Sequence, residues 1–257
     1  MNLIHNMNMI QNNSLPAPDR LSRKREQKSM AVLDAAADLV LEAGLDGLTM
    51  QKLAARLDLA VGALYRYFPS KEALLAQLQI RALGDYDRWY QQAIAALSAA
   101  ELAPGVAELA YLALCAQLYA QSAKSAPSHF ALVSEATALR RELLGPADGR
   151  QVLAAALPLL LRFGGWFSHA AQHQALIPGE ASQRAILYFT SIQGLLQAQK
   201  LGRFSPGLID SGLLPLLLKT LFSGWGASPV VAEAALAAVM EFQATEAWTN
   251  LCQELWA

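Results

Sequence analysis

Residues 48–75, LTMQKLAARLDLAVGALYRYFPSKEALL, carry the pattern of two short helices joined by a tight turn and followed by the start of a third helix. Thr49 can accept a hydrogen bond from the first amides of a helix whose Leu53 and Leu57 lie four residues apart on one face. Asp58 follows at the predicted end of that helix, where a left-handed residue is usually needed and where Asp is tolerated. We therefore expect the chain to turn at Asp58.

The second helix is predicted from about Ala60 to Phe68, with Leu64 and Phe68 buried because they lie four residues apart. The remaining positions face solvent or a partner and are small, aromatic or cationic: Val61, Gly62, Ala63, Tyr65, Arg66 and Tyr67. Helix-turn-helix proteins place the N-terminal residues of such a second helix against base edges in the major groove of DNA. Small residues at positions 62 and 63 permit a close approach, so the pattern indicates a DNA-binding unit.

The segment from Leu64 to Glu72, LYRYFPSKE, closely resembles the DNA-binding domain of the TetR family of bacterial transcriptional regulators. The likeness extends over roughly residues 25 to 80, and a weaker one covers the helical remainder, which such regulators use for ligand binding and dimerisation. Ala60 stands where the family commonly has a Ser cap, and Ala63 stands where it commonly has Thr. The resemblance therefore implies a helix-turn-helix domain with one helix cap and one DNA contact fewer than usual.

Carried over position by position, the resemblance implies two sets of DNA contacts. Phosphate contacts are expected at Thr49, Tyr65, Tyr67 and Lys71, and base contacts at Gln51, Val61, Gly62 and Ala63. Glutamine can make two hydrogen bonds to adenine, whereas phenol and ammonium groups on phosphates fix the register without reading the sequence. Tyr65 and Tyr67 could instead cover the core of the small domain. Gln51 could be an ordinary solvated residue, and Arg66, a further cationic candidate, could pair with a neighbouring acid.

A cluster of cations precedes the first predicted helix: Arg20, Arg23, Lys24, Arg25 and Lys28, against only Asp19 and Glu26. The helix that follows is expected to have an apolar stripe at Met30, Leu33, Ala37, Val40 and Leu41. Positive charge at a helix N-terminus opposes the helix macrodipole by roughly 0.3–1 kcal/mol per group, so nothing local favours this placement, whereas phosphates would. Lys24, Arg25 and Lys28 join the DNA-binding candidates on this ground; the alternative is a solvated basic tail.

The composition indicates a helical protein with a large apolar interior or interface. Hydrophobic residues make up 54% of the 257 residues and charged residues 16%, and Ala and Leu dominate. Because the net charge is only −1, any attraction to DNA must come from a local arrangement of cations. We expect a disordered Asn-rich tail at 1–21, a helix-turn-helix domain at 22–72 and a helical ligand-binding and dimerisation domain at 73–257.

A cytoplasmic location is expected. The longest apolar stretches are interrupted, as at Pro158 and Arg162, so no membrane span is predicted, and the first 15 residues do not resemble a secretory signal. Cys115 and Cys252 have no metal-binding spacing and no second pair, which is typical of small buried thiols in a reducing compartment.

The rest of the chain is predicted to be helical, which gives an all-α fold. Ser70 can cap a long helix that connects the two domains and runs toward the break at Pro104 and Gly105. Further helices are predicted near 106–124, 127–144, 149–175, 182–201, 210–224 and 229–253, and no strand pattern occurs.

Between 182 and 224 the apolar residues are too many for one buried face, so a second surface must cover some of them. The resemblance implies a four-helix interface between two subunits, with the two-fold symmetry that a palindromic operator requires. The candidate interface residues are Ile186, Phe189, Leu196, Leu214, Leu217, Leu218 and Leu221. The alternative is that these helices are buried within one subunit.

A second concentration of apolar and aromatic residues with a few polar neighbours fits a ligand pocket. Its candidates are Gln117, Phe130, Phe163, Trp166, Phe167, His169, His173, Tyr188 and Gln193. Aromatic residues at helical spacing are also typical of ordinary core. His169 and His173 lie four apart, a spacing that can hold a metal, but no acid or cysteine completes a known pattern, so no metal and no cofactor is expected.

These features predict a ligand-responsive transcriptional regulator, a repressor, that binds a palindromic operator as a homodimer and is released by a small apolar or amphipathic effector. No phosphate loop, nucleophile elbow or carboxylate pair supports an enzyme. The alternative is a helical protein that sequesters or transforms a small molecule through His169 and His173 and has a vestigial DNA-binding end.

Overall fold

The structure is a computed structural model that describes residues 20–97, 101–136, 144–198 and 212–256. Within these ranges the chain forms helices and connecting turns and no strand, which confirms the predicted all-α class. The helices are α1 Arg20–Gly47, α2 Met50–Arg56, α3 Val61–Leu64, α4 Lys71–Leu97, α5 Val106–Ser125, α6 Pro127–Ala136, α7 Pro146–Gln172, α8 Ala181–Ala198, α9 Leu213–Gly224, α10 Pro229–Gln243 and α11 Glu246–Trp256.

The small N-terminal domain is built from α1, α2 and α3, and its core is formed as the spacing predicted. Leu53 and Leu64 have no exposed surface and Phe68 has almost none. The separation of four residues between Leu64 and Phe68 holds across the end of α3, so one side of this short segment faces the core and the other faces outward.

The turn between α2 and α3 confirms the prediction of a left-handed residue at Asp58, whose φ is 51°. The Asp58 N–H donates to the Ala55 carbonyl at 3.3 Å, and the Leu59 N–H donates to the Ala54 carbonyl at 2.9 Å. This pair of bonds is the Schellman pattern that satisfies the last carbonyls of a helix. The turn therefore fixes where α3 starts relative to α2.

The first helix differs from the prediction in its start and in its buried face. It begins at Arg20, so the basic residues lie inside the helix and not ahead of it; the predicted tail, apart from its last two residues, lies outside the described residues. The buried side chains are Val32, Ala35, Ala36, Leu39 and Val40, whereas Met30 and Leu41 are exposed. The predicted stripe is confirmed at Val40, which is buried, and at Leu33 and Ala37, which are half-buried against the core, and it is wrong at Met30 and Leu41.

The second helix of the motif is shorter than predicted. Regular helix ends at Leu64, and the N–H groups of Tyr67 and Phe68 both donate to the Leu64 carbonyl at 2.9 Å. Pro69 disfavours helical geometry at Phe68, and Ala60 provides no side-chain cap at the other end. The segment 61–68 is thus one helical turn followed by a tighter turn.

The larger domain is arranged around α4, which packs against α5, α6, α7 and α11 as well as against α1. The Ser70 hydroxyl accepts a hydrogen bond from the Ala73 N–H at 3.0 Å, so the predicted cap of this helix is confirmed. An Arg81–Asp34 ion pair ties α4 to α1. The helix α6 contacts both α1 and α4 and so bridges the two domains.

The C-terminal region contains two helices where the pattern predicted one over 229–253. The chain breaks after Gln243, and the Thr245 hydroxyl accepts a hydrogen bond from the Trp248 N–H at 3.3 Å, which caps the start of α11. The predicted ends of the helices at 144 and 201 and the predicted start at 210 adjoin or lie in segments outside the described residues.

One described helix, α7, is long and apolar enough to cross a membrane by length and composition. A core helix of a soluble protein passes the same test. In this structure α7 packs against α4, α5 and α8, and its Arg162 forms an ion pair with Asp87 of α4 at 2.7 Å. Its outer side exposes a stripe of leucines at Leu153, Leu157 and Leu161.

The buried position of Leu64 gives a stability prediction. Leu64→Ala should lower the free energy of unfolding by about 2–5 kcal/mol, because it leaves a cavity where the side chain has no exposed surface. Leu59→Ala, at a leucine that is 40% exposed, is the matched control and should cost well under half as much. Chemical denaturation followed by circular dichroism measures both, and equal losses would contradict the described packing.

Candidate nucleic-acid interface and effector site

The outward side of α2 and α3 presents most of the residues singled out in the sequence. Gln51, Gly62, Tyr65 and Arg66 are exposed, as are Lys24, Arg25 and Lys28 on α1, whereas Val61, Ala63, Tyr67 and Lys71 are half-buried. Val61 and Tyr67 also pack against the core, so they have a structural role whatever else they contact. Thr49 is half-buried and its hydroxyl accepts a hydrogen bond from the Lys52 N–H at 3.2 Å, as predicted for a cap.

The N-terminal part of α1 lies beside the end of α3. The Arg25 guanidinium donates to the Arg66 carbonyl at 3.3 Å, which places neighbouring Lys24 and Lys28 on the same part of the domain. Arg25 therefore supports the turn after α3 and is not merely a free cation of a basic tail.

Several cations near α3 have no acidic partner among the described residues. Within the described part of the chain, the side chains of Lys24, Lys28, Arg66 and Lys71 form no ion pair. Four arginines elsewhere in the described chain do have acidic partners: Arg56 with Glu42, Arg81 with Asp34, Arg88 with Asp85 and Arg162 with Asp87. Positive charge around α3 is thus left available to an outside anion, although the whole chain is close to neutral.

The glycine in α3 is not required by packing within the chain. A Cβ atom added at Gly62 would meet no heavy atom within 4 Å, and the backbone there is helical. Glycine in a helix costs about 1 kcal/mol relative to alanine. A residue that weakens the helix without relieving a contact inside the chain leaves room for something outside it.

Residues 32–78 match the model of the bacterial regulatory proteins of the tetR family. The N-terminal domain belongs to this family. The match covers α2, α3, most of α1 and the start of α4, which are the elements that form the surface described above.

The TetR-type domain is also similar to that of repressors named KstR. Over 68 residues the chain is 38% identical to the HTH-type transcriptional repressor KstR of Rhodococcus jostii, which is 26% of this chain and 32% of that protein. The matched part thus spans about a third of the length of that relative.

Solved structures extend the fold likeness beyond the TetR-type domain. The regulator FadR of Bacillus subtilis, solved with stearoyl-CoA, superposes with a TM-score of 0.56 at 20% identity, covering 76% of this chain and 98% of that one. AibR, solved with isovaleryl coenzyme A and operator DNA, superposes with a TM-score of 0.53 at 19% identity, again covering 76% of this chain and 98% of that one. The architecture of a helix-turn-helix domain followed by a larger helical domain is therefore that of known regulators.

The candidate effector residues divide into core rings and half-buried ones. Phe163, Phe167 and Tyr188 are buried, and the Tyr188 ring lies 5.4 Å from that of Phe163 and 6.0 Å from that of Phe167 between centroids. A ligand would reach these three rings only by displacing their contacts. Gln117 on α5, Phe130 on α6 and Trp166 on α7 are half-buried.

The polar candidates have different surroundings. The side-chain oxygen of Gln193 accepts a hydrogen bond from the Tyr119 hydroxyl at 2.6 Å deep inside the domain. His169 and His173 are exposed at the C-terminal end of α7 and are not part of this interior. In the described ranges no three His, Cys, Asp or Glu side chains are grouped so that they could hold a metal ion.

A set of buried tyrosines forms the centre of the larger domain: Tyr86, Tyr90, Tyr119 and Tyr188, of which only Tyr188 was among the candidates predicted from the sequence. The Tyr86 hydroxyl hydrogen-bonds the Ser122 hydroxyl at 2.5 Å, and the Tyr188 hydroxyl donates to the Leu112 carbonyl at 2.5 Å. Burial raises the pKa of all four phenols, with the Cys115 thiol adding to the shift at Tyr90 and Tyr188. These residues lie on three different helices, α4, α5 and α8, so residue spacing did not predict that their side chains meet.

The candidate dimer residues also fall into two groups. Leu196, Leu214 and Leu218 are buried within the chain, as the alternative interpretation of these helices expected, and are therefore not available to a partner in this conformation. Ile186 is half-exposed, and Phe189, Leu217 and Leu221 are partly exposed. The exposed apolar face of α8 and α9 comprises Ile186, Leu187 and Leu216, the last two of which were not among the predicted interface residues.

The buried phenols predict a loss of stability in alkali. The folded chain raises the pKa of Tyr90 above its ordinary value of about 10, so the folded state is favoured below pH 10 and loses that advantage as the unfolded chain ionises at higher pH. Each such group lowers the free energy of unfolding by about 1.4 kcal/mol for each pH unit above 10.

Tyr90→Phe should reduce the fall in the free energy of unfolding above pH 10 by about 1.4 kcal/mol per pH unit. It should change stability little at pH 8, since the Tyr90 hydroxyl makes no hydrogen bond with the described residues. Denaturant unfolding at pH 8 and pH 11 measures the difference. Tyr65→Phe, at an exposed tyrosine, is the control and should retain the wild-type loss. An unchanged loss in Tyr90→Phe would mean that the ring is accessible to solvent.

Proposed function

We propose that this protein is a ligand-responsive transcriptional repressor that binds a palindromic operator as a homodimer and releases it when a small apolar or amphipathic molecule occupies the helical domain. The proposal is supported chiefly by one observation. In a domain of the TetR family, α3 is held by Leu64 and Phe68 so that Gly62, Tyr65 and Arg66 face outward among cations without acid partners.

In the proposed complex the start of α3 enters the major groove and the surrounding groups bind the DNA backbone. Val61, Gly62, Ala63 and Gln51 are proposed to face bases, and Thr49, Tyr65, Tyr67, Arg66, Lys71, Lys24, Arg25 and Lys28 to face phosphates. The Thr49 hydroxyl already accepts a hydrogen bond from the Lys52 N–H at the start of α2. Its proposed phosphate contact is a second interaction, in which the hydroxyl donates. The similarity to KstR repressors supports repression over activation.

The homodimer is proposed to form through α8 and α9. These helices pack on each other and expose Ile186, Leu187 and Leu216, and large apolar side chains on neighbouring helices favour association. Two-fold symmetry would place two copies of α3 in successive major grooves about 34–36 Å apart. The symmetry supplies the match to a palindromic operator.

Effector control is proposed to act through α4. A ligand that favours a conformation with a different separation of the two α3 segments weakens operator binding, and a coupling free energy of about 1–3 kcal/mol changes affinity by about 5- to 150-fold. The acyl-CoA molecules bound by the FadR and AibR structures make an amphipathic effector a reasonable class for this fold. We place the protein in the cytoplasm, where DNA and such metabolites meet.

The function is tested by a gel-shift experiment with the DNA upstream of the protein's own gene, at two salt concentrations. A sequence-selective complex that weakens with salt is expected, because cations on the protein displace counterions from phosphates. Binding of no duplex at all, or equal binding of every duplex, would reject the proposal and favour the rival protein that acts on a small molecule through His169 and His173.

Two variants separate the proposed roles in the same experiment. Gln51→Ala should reduce discrimination between operator and altered operators by about 1–3 kcal/mol at one base pair, because it removes a base contact. Lys71→Ala should weaken binding to all sequences and lower the salt dependence by about one ion. Identical effects of the two changes on selectivity and on salt dependence would contradict the assignment.

The dimer face gives a further prediction. The double variant Ile186→Asp with Leu216→Asp should shift the protein from dimer to monomer in analytical ultracentrifugation and abolish operator binding, since it puts charges in an apolar interface. Val230→Asp, at an apolar residue of α10 that is 76% exposed, is the control and should leave the dimer intact. Dissociation by the control alone would place the interface elsewhere.

A further inference from the structure

An open groove of about 510 Å³ lies between α5 and α11. It is lined by Gln121, Trp248, Thr249, Cys252, Gln253 and Trp256. Its volume is in the range of small-molecule sites, which commonly combine apolar walls with a few polar groups. The indole rings of Trp248 and Trp256 form the apolar walls, and the side chains of Gln121, Thr249 and Gln253 provide polar groups that can orient a ligand.

Two side-chain N–H groups at this groove have no good acceptor. The Gln121 amide donates to the Cys252 sulfur at 3.6 Å. The Trp256 indole N–H is buried and has no hydrogen-bond partner among the described residues. Burial raises the pKa of the Cys252 thiol, and the Gln121 amide and the Trp256 indole N–H oppose that rise. A thiol sulfur is a weak acceptor, and a buried N–H left without an oxygen acceptor is costly.

The chemistry of this groove selects a type of ligand. A carbonyl or carboxylate oxygen placed beside Cys252 would accept from the Gln121 amide better than sulfur does, and from the Trp256 indole N–H once that ring turns its buried N–H toward the groove. The face of an apolar ring would lie against the Trp256 and Trp248 indoles, where aromatic contacts add to the burial of apolar area. Trp248 is itself held by Phe242, with ring centroids 5.6 Å apart, so this wall is firmly supported.

The groove is connected by contact to the helix that leads to the DNA-binding domain. The edge of the Trp256 ring meets the ring of Trp89 on α4, with centroids 4.6 Å apart. The ring centroids of Trp89 and of His129 on α6 are 5.0 Å apart. The Nε2 atom of His129 lies 2.9 Å from Oδ2 of Asp85 on α4, within hydrogen-bond distance. Both α4 and α6 pack against α1. These contacts form a continuous path from Trp256 to elements that support α1.

We propose that the groove between α5 and α11 binds a small molecule made of an apolar ring and a carbonyl or carboxylate oxygen, and that its occupancy weakens DNA binding through Trp256 and Trp89. The second half of this proposal rests on the proposed function. The first half, the binding site, does not.

Cys252 allows the groove to be filled without knowing the natural ligand. N-phenylmaleimide carries a ring and two carbonyl oxygens; the Cys252 thiolate adds to its carbon–carbon double bond, and the neighbouring carbon takes a proton from water. N-methylmaleimide forms the same bond without the ring and is the matched control reagent. Cys115 is fully buried in the folded chain, so mass spectrometry should find one adduct per chain, and none in Cys252→Ser.

Two measurements are made on each adduct: the melting temperature, and the affinity for the upstream DNA fragment. The phenyl adduct should melt at or above the temperature of the methyl adduct, and its DNA affinity should be at least about 5-fold lower, the lower end of usual allosteric couplings. Cys252→Ser treated with either reagent should keep its untreated affinity.

A phenyl adduct that melts below the methyl adduct would show that the groove does not accept such a ring, and equal or higher DNA affinity would show that its occupancy does not weaken DNA binding. Either result overturns the proposal. If the untreated protein does not bind the fragment, the proposed function fails separately, and the melting temperatures still decide whether the groove is a binding site.

Discussion

The two parts of the molecule are connected by one uninterrupted helix, and this constraint governs how the rest can work. The 27 residues of α4 extend over roughly 40 Å. One end is capped by Ser70 directly after the segment that carries α3, and Arg81 ties the helix to α1. The other end contributes Tyr86, Trp89 and Tyr90 to the aromatic interior. Because packed interiors resist compression, a rearrangement around the far end moves the near end as well.

The interior around α4 is unusual in its polarity. Four buried phenols and a buried thiol occupy the centre, and their hydroxyls bond to Ser122, Gln193 and the Leu112 carbonyl. Such bonds specify the positions of helices more narrowly than apolar contacts do, because an unmatched buried polar group is costly. The larger domain is thereby held in a defined arrangement, while Arg162 and Asp87 fix α7 against α4 at the border of this interior.

Local rules predicted the helix-turn-helix unit well and the larger domain less well. Asp58, Leu64, Phe68 and Ser70 each follow from their immediate neighbours in sequence, and the structure confirms all four. The predicted buried face of α1 was right at Val40 and wrong at Met30 and Leu41, because two adjacent stripes of Val, Ala and Leu fit the same period. Whether an aromatic ring belongs to the core or to a ligand site depends on which helices pack together, and the spacing of residues along the sequence does not predict that. The groove at Trp256 was missed for this reason, and also because the break before α11 was not predicted.

The shortness of α3 has a consequence for how the protein can change over generations. A helix of one turn, without a side-chain cap and with a glycine inside it, contributes almost nothing to its own stability, which comes instead from Leu64 and Phe68 beneath it. Substitutions on its outward side are then nearly neutral for folding. Such a surface can acquire substitutions that recognise new DNA sequences without destabilising the domain that carries it.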